Sequence, residues 1–168
     1  MKSYLTYWYL LSLVLILSSC ADTKNGTAPK ASQQKDSIAS WLSQAEAAVS
    51  PKKESLLQKA YGAVIPLPED TVKTKHLLAL AYAYFDTADT LTARKINKET
   101  IQLALKTGDS SSLAGAYWDL GDYLSDRRYK IDSGFYYYAQ AQRLYEGLGN
   151  TYYSARMLIN MAVGQIDI

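Results

Sequence analysis

The sequence predicts an all-α protein made of antiparallel helix pairs stacked side by side as an α-solenoid. Two observations carry this expectation. A pattern of large and small apolar residues returns at spacings of 40 and 41 along the second half of the chain, the mark of a repeat architecture. No segment sustains the period-two alternation of a strand or carries a hairpin turn. The 168 residues allow one modest domain. With 48% hydrophobic and 20% charged residues, the balance is that of a globular chain rather than a disordered one.

Residues 1–20 read as a targeting segment. Lys2 supplies a short positive start, the apolar run "YLTYWYLLSLVLIL" follows, and "LSSC" closes it at Cys20. That run is shorter than the roughly twenty apolar residues a spanning helix needs and fits a secretory signal. "LSSC" resembles a bacterial lipobox, an aliphatic residue and two small ones before an acceptor cysteine. The resemblance implies that the Cys20 thiol takes up diacylglycerol and that the mature protein is lipid-anchored at the cell envelope, facing the periplasm, on the inner or outer membrane. Cys20 is the sole cysteine, so no intrachain disulfide can form. Residues 21–35, within "ADTKNGTAPKASQQKDS", are small and polar with no apolar period. A stretch that cannot bury apolar surface is expected to be a flexible tether.

Helical signals begin with "DSIASWLSQAEAAV" and "PKKESLLQKAYGAVI". Pro51 suits a first helical turn, and residues 36–66 read as a helical pair without a clear repeat match. From residue 70 to residue 168 the repeat is plain. Leu77, Tyr117 and Leu158 align, as do Leu80, Leu120 and Met161, then Ala81, Gly121 and Ala162. In each unit a large residue is followed three later by another and then by a small one. On a helix these share one face, and the small residue lets a neighbouring helix approach. A second register matches Ala93, Ile96, Thr100 and Leu103 to Gly134, Tyr137, Ala141 and Leu144, all at an offset of 41. "TGD" (Thr107–Asp109) and "LGN" (Leu148–Asn150) stop both of these helices at the same offset, as Gly before Asp or Asn commonly does. The breaks between paired helices fall at Thr87–Thr90 and Asp126–Asp132, and "LPED" ends on Asp70 as a helix start.

These residues resemble the tetratricopeptide repeat. Tyr117, Leu120, Gly121 and Leu124 match the family's aromatic, leucine, glycine and second large residue of the first helix. Gly134, Tyr137 and Ala141 match the small, aromatic and small positions of its second helix. The usual period is about 34, so the spacing here is that of a longer variant, and the family's terminal proline is absent. The resemblance implies a TPR-like α-solenoid acting as a protein-protein interaction scaffold. "AYWDLGDYL", "DSGFYYYAQAQRLYEGLGN" and "MLINMA" are similar to the amino-terminal sensory regions of bacterial helix-turn-helix or histidine-kinase regulators, which places this chain as the sensory, ligand-binding part of an envelope signalling protein. The alternative is an envelope-assembly or nutrient-uptake lipoprotein that binds outer-membrane components or glycans.

In such a solenoid the inner surface is lined by first helices. The groove candidates are Lys75, Leu78, Tyr82 and Phe85, then Trp118, Asp122 and Ser125, with Ile159 and Val163 beyond them. Tyr82 and Trp118 offer flat anchors for a peptide or protein segment. Packing against the next repeat is the competing reading for Trp118. Asp119 and Asn160 occupy a matching place where a polar side chain meets a peptide backbone.

The run "SGFYYYAQAQRLYEG" poses the choice between ligand stacking and core filling. The wheel of this helix buries Gly134, Tyr137, Ala141, Leu144 and Leu148, with Tyr138 and Tyr145 at the border and Tyr136 outside. Its Tyr137 replaces Ile96 of the preceding unit, as Leu144 replaces Leu103, so packing is the reading preferred. Other chemistry finds no footing. Eighteen Lys and Arg against sixteen Asp and Glu give +2, too weak a basic field for nucleic acid. His76 is the lone histidine, which leaves no zinc quartet and no Ser-His-Asp or Cys-His arrangement. No glycine-rich phosphate loop occurs. The expectation is a non-enzyme without cofactor or metal. In "YYSARMLINMAVGQIDI" apolar residues spread around nearly the whole helix. A terminal repeat ordinarily turns a polar face outward, so the expectation is that the module continues past Ile168 or that a partner covers this helix.

Overall fold

Most helix boundaries from residue 70 onward fall on an Asp, Asn or Gly whose chemistry favours a start or a stop. The computed structural model describes residues 28–125 and 131–166. The expected lipobox with Cys20, the rest of residues 1–27, and residues 126–130 and 167–168 lie outside the described residues. Two units are distinguished, residues 1–35 and residues 36–168. Of the first, only the start of helix α1 (Ala28–Glu46) is described. That helix begins inside the stretch expected to be a tether. Ala28, Ala31, Gln33, Gln34 and Lys35 are all good helix formers, and their propensity prevails over the lack of an apolar period.

Six more helices follow: α2 (Lys52–Val64), α3 (Thr71–Phe85), α4 (Thr90–Thr107), α5 (Ser110–Ser125), α6 (Ile131–Gly147) and α7 (Thr151–Ile166). No strand occurs among the described residues. The protein is all-helical, as expected. Asp70 caps α3 by accepting from the backbone N–H groups of Val72 and Lys73 at 2.9 and 3.0 Å. Asp89 caps α4 by accepting from Thr92 N–H at 3.1 Å. Such caps satisfy donors that the first helical turn leaves orphaned.

The "TGD" and "LGN" stops do double duty. Gly108 and Gly149 both take φ +69°, the left-handed conformation that lacks a penalty only for glycine. The following residue then bonds back into the helix just ended: Asp109 N–H to the Ala104 carbonyl at 3.0 Å, and Asn150 N–H to the Tyr145 carbonyl at 2.8 Å. The same two side chains open the next helix. Asp109 accepts from Ser112 N–H, and Asn150 accepts from Tyr153 N–H. Two tight corners 41 residues apart are thus built alike.

Consecutive helices from α2 to α7 pack against one another, and α3 also touches α5 across the chain of α4. Leu78 of α3 is the contact there, seated where a side chain on Gly115 would otherwise stand. One core joins Ile38, Leu57, Val64, Leu80 and Ile96 from α1 to α4. A second joins Ala114 of α5, Tyr138, Ala141 and Tyr145 of α6, and Met157 of α7. Between α4 and α5, the buried Asn97 amide donates to the Ala116 carbonyl at 3.1 Å.

The tightest approach is between α5 and α6. A Cβ on Gly121 would lie 2.5 Å from Tyr138 Cδ1, and one on Gly134 would lie 3.1 Å from the Gly121 carbonyl oxygen. The small residues therefore admit a tyrosine ring and a backbone. The buried stripe of α6 is turned slightly from the expected one. Tyr138 and Tyr145 are buried, Tyr137 and Leu144 are half-buried, and Leu148 is exposed. Counting back 41 residues explains the rotation: Tyr138 and Tyr145 stand where α4 buries Asn97 and Ala104. The tyrosines pack, but not all the ones the wheel selected.

Candidate functional site

The expected groove residues fall into two neighbouring groups. On α3, Tyr82 is 68% exposed while Phe85 is half-buried. Both line a cleft of about 500 Å³ together with Leu42, Glu46, Lys53, Ala79, Ala83 and Asp86. The Lys53 ammonium pairs with the Asp86 carboxylate at its edge, so the cleft is apolar with a paired charge at its rim. Leu78 is half-buried against Gly115, and Lys75 is exposed on the same helix. The sequence patterning missed Leu42 and Lys53, because α1 and α2 carry no clear copy of the repeat.

On α5 the second group is a bonded network. Trp118 donates its indole N–H to Asp122 Oδ1 at 3.1 Å, and the Tyr138 hydroxyl donates to the same oxygen at 2.8 Å. Ser125 lies one turn on, close to Gly134. The Trp118 ring packs 5.6 Å from Tyr153 of α7 and carries the Arg156 guanidinium 5.2 Å from its centroid. Trp118 thus meets α7 on one side while staying partly exposed. Phe85 meets Tyr123 at 5.4 Å, so the aromatic residues of α3 and α5 adjoin. Ile159 and Val163 of α7 are exposed, as is Leu158.

Electrostatics single out two carboxyls. Burial pushes the Asp119 carboxyl up to about 8, and the nearby Asp122 charge adds to this. Its Oδ2 is sealed from water and has no hydrogen-bond partner. Asp122 is also raised by burial, opposed by its bonds from Tyr138 and Trp118 and by the Arg156 charge. Burial raises the phenols of Tyr138 and Tyr145, the latter to about 12. Asp119, half-buried with one oxygen sealed, was visible in the sequence only as the counterpart of Asn160 in the repeat, with nothing to mark that enclosure.

Among the described residues, no group of three or more His, Cys, Asp or Glu is placed to hold a metal ion, and no described helix is long and apolar enough to cross a membrane. Comparison of the chain with protein-family models, with curated proteins and with solved structures gives no match.

Proposed function

We propose that this protein is a membrane-anchored, TPR-like scaffold that holds a protein or peptide partner on the surface formed by α3 and α5. The observation that supports it is the placement of Tyr82 and Phe85 beside a 500 Å³ cleft, with Phe85 against Tyr123 of the helix that carries the Trp118–Asp122 pair. Flat aromatic rings with a polar tip are the residues that dominate binding energy at protein interfaces. Asp122, exposed and held by two donors, adds a fixed acceptor for a backbone N–H or a basic side chain. The stacked pairs would form a solenoid, with α3, α5 and α7 as the first helices of successive repeats. Cys20 would carry the lipid that anchors the chain at the envelope. In this reading the protein is the sensory part of an envelope signalling system, and it binds without catalysis.

Photo-crosslinking residues placed at Tyr82 and at Trp118, with Leu105 of α4 as the outward control (61% exposed), test the surface in the native envelope. Discrete adducts at the first two positions and none at Leu105 are expected. Equal labelling at all three would overturn the assignment. Palmitate incorporation that vanishes in Cys20→Ala tests the anchor separately.

A further inference from the structure

The α3–α4 and α5–α6 pairs close on one pattern, a small, a large and a small residue at steps of three and four. On α3 the stripe is Thr74, Leu77 and Ala81, and on α4 it is Ala93, Ile96 and Thr100. All six are buried, and the four apolar ones share the first core. On α5 the stripe is Ala114, Tyr117 and Gly121, and on α6 it is Gly134, Tyr137 and Ala141. The second pair shows how two such stripes meet. In the middle, the Tyr117 and Tyr137 rings lie 5.8 Å apart. At one end Gly134 faces Gly121, close enough that a Cβ on the first would lie 3.1 Å from the carbonyl oxygen of the second. At the other end Ala114 and Ala141 are fully buried in one core. The first small residue of each stripe therefore meets the third of the other. The two helices run antiparallel about an approximate two-fold axis through the large pair.

Helix α7 carries a fifth stripe at the same steps, Ala155, Leu158 and Ala162. Here all three residues are exposed, Leu158 by 53%. Tyr152, Ile159 and Val163 are exposed too and widen the stripe into an apolar face. No charge interrupts it. Arg156 is the one charged residue of α7, and its guanidinium lies over Trp118. A solvated helix face ordinarily carries charge, as α4 does with the exposed Arg94, Lys95, Lys98 and Lys106.

The repeat says what covers such a stripe: an antiparallel helix bearing another small–large–small stripe. A second α7 meets that requirement. Laid on itself as α5 lies on α6, Ala155 would face the partner's Ala162, and Leu158 would face the partner's Leu158. We propose that α7 pairs with α7 of a second copy of this chain across a two-fold axis at Leu158. One patch serves both copies, so the contact closes as a dimer. Tyr153 and Arg156, which meet Trp118, lie outside the stripe, so the pairing is independent of the proposed partner surface.

The test is self-association of the full chain in a mild detergent, with disulfide capture to read the register. Sedimentation equilibrium is expected to give a dimer. Leu158→Glu sets two carboxylates face to face on the axis and should weaken that dimer at least about a hundredfold. Leu158 is exposed in the single chain, so the circular dichroism of this variant should match the parent's. Under mild oxidation, Leu158→Cys should link to itself beyond the level of the parent, whose one cysteine is Cys20. Ala155→Cys should link to Ala162→Cys in a mixture of the two, but not to itself, because the two-fold sets the copies of residue 155 about 10 Å apart along the helix axis. A chain that stays monomeric would overturn the proposal and leave the face to a helix of another protein. So would a dimer that Leu158→Glu leaves intact, or Ala155→Cys linking to itself as readily as Leu158→Cys does.

Discussion

Gly121→Ala puts one methyl group into the closest helix contact of the protein. The added carbon would stand 2.5 Å from Tyr138 Cδ1 and 2.6 Å from Cε1, about an ångström inside van der Waals contact. The ring has little room to yield. It is 5% exposed, and its hydroxyl is tied to Asp122 at 2.8 Å. Overpacking of this kind costs about 1–3 kcal/mol. Alanine in place of glycine inside a helix offsets about 1 kcal/mol of that. The net expectation is a loss of up to about 2 kcal/mol, or up to roughly 8 °C in melting temperature for a domain of this size. Gly62→Ala is the matched control. It also sits inside a helix, α2, but a Cβ there meets nothing within 4 Å, so a gain of about 0.5–1 kcal/mol is expected. Urea and thermal unfolding followed by far-ultraviolet circular dichroism measure both. A double-mutant cycle with Tyr138→Leu should show the Gly121→Ala penalty shrinking once the ring is gone. If Gly121→Ala stabilised the protein as Gly62→Ala does, the α5–α6 packing described above would be wrong.

The corner caps should behave alike: Asp109→Ala and Asn150→Ala each remove a side chain bonded to the next helix's first turn, and each should cost about 1 kcal/mol in the same unfolding assay. Met157→Ala empties a fully buried site in the second core and should cost about 2–5 kcal/mol. Tyr138→Phe removes the hydroxyl bond to a carboxylate, with an expected loss of about 1.5–3 kcal/mol measured by urea unfolding. Asp119→Asn should be more stable than the parent at pH 7. The folded carboxyl keeps its proton up to about 8, so the parent loses stability as pH rises from the unfolded-state value near 4 toward 8; melting curves of both proteins across that range check the sign.

The helix boundaries were legible because punctuation residues act locally. Asp70, Gly108 and Gly149 dictate backbone geometry within a few residues of themselves, so reading them needs no tertiary knowledge. The repeat register was legible over part of the chain: Ala81 and Gly121 are buried, whereas Leu158 and Ala162, at the matching places of α7, are exposed. What could not be read was which tyrosines of α6 go inside. Tyr137 and Tyr138 are one residue apart, a rotation of about 100° on the helix, and the choice is made by α5, whose Gly121 leaves space for the second ring and not the first. The cleft beside Tyr82 was half legible, since Leu42 and Lys53 arrive from helices that carry no clear repeat. The sealing of Asp119 Oδ2 was illegible altogether, because an acidic residue on a helix is ordinarily solvated and nothing in its own segment marks the enclosure.

Contact between α3 and α5 is what the proposed stack of helix pairs requires, and Phe85 meets Tyr123 across it. A nuclear Overhauser experiment on the Leu78 methyl groups measures that contact directly. Strong cross-peaks to the Gly115 α-protons are predicted, since Leu78 Cδ2 occupies the position 2.8 Å from where a Gly115 Cβ would be. Leu78 methyls that show cross-peaks only to residues of α3 and α4 would contradict the stacking and, with it, the surface proposed to bind a partner.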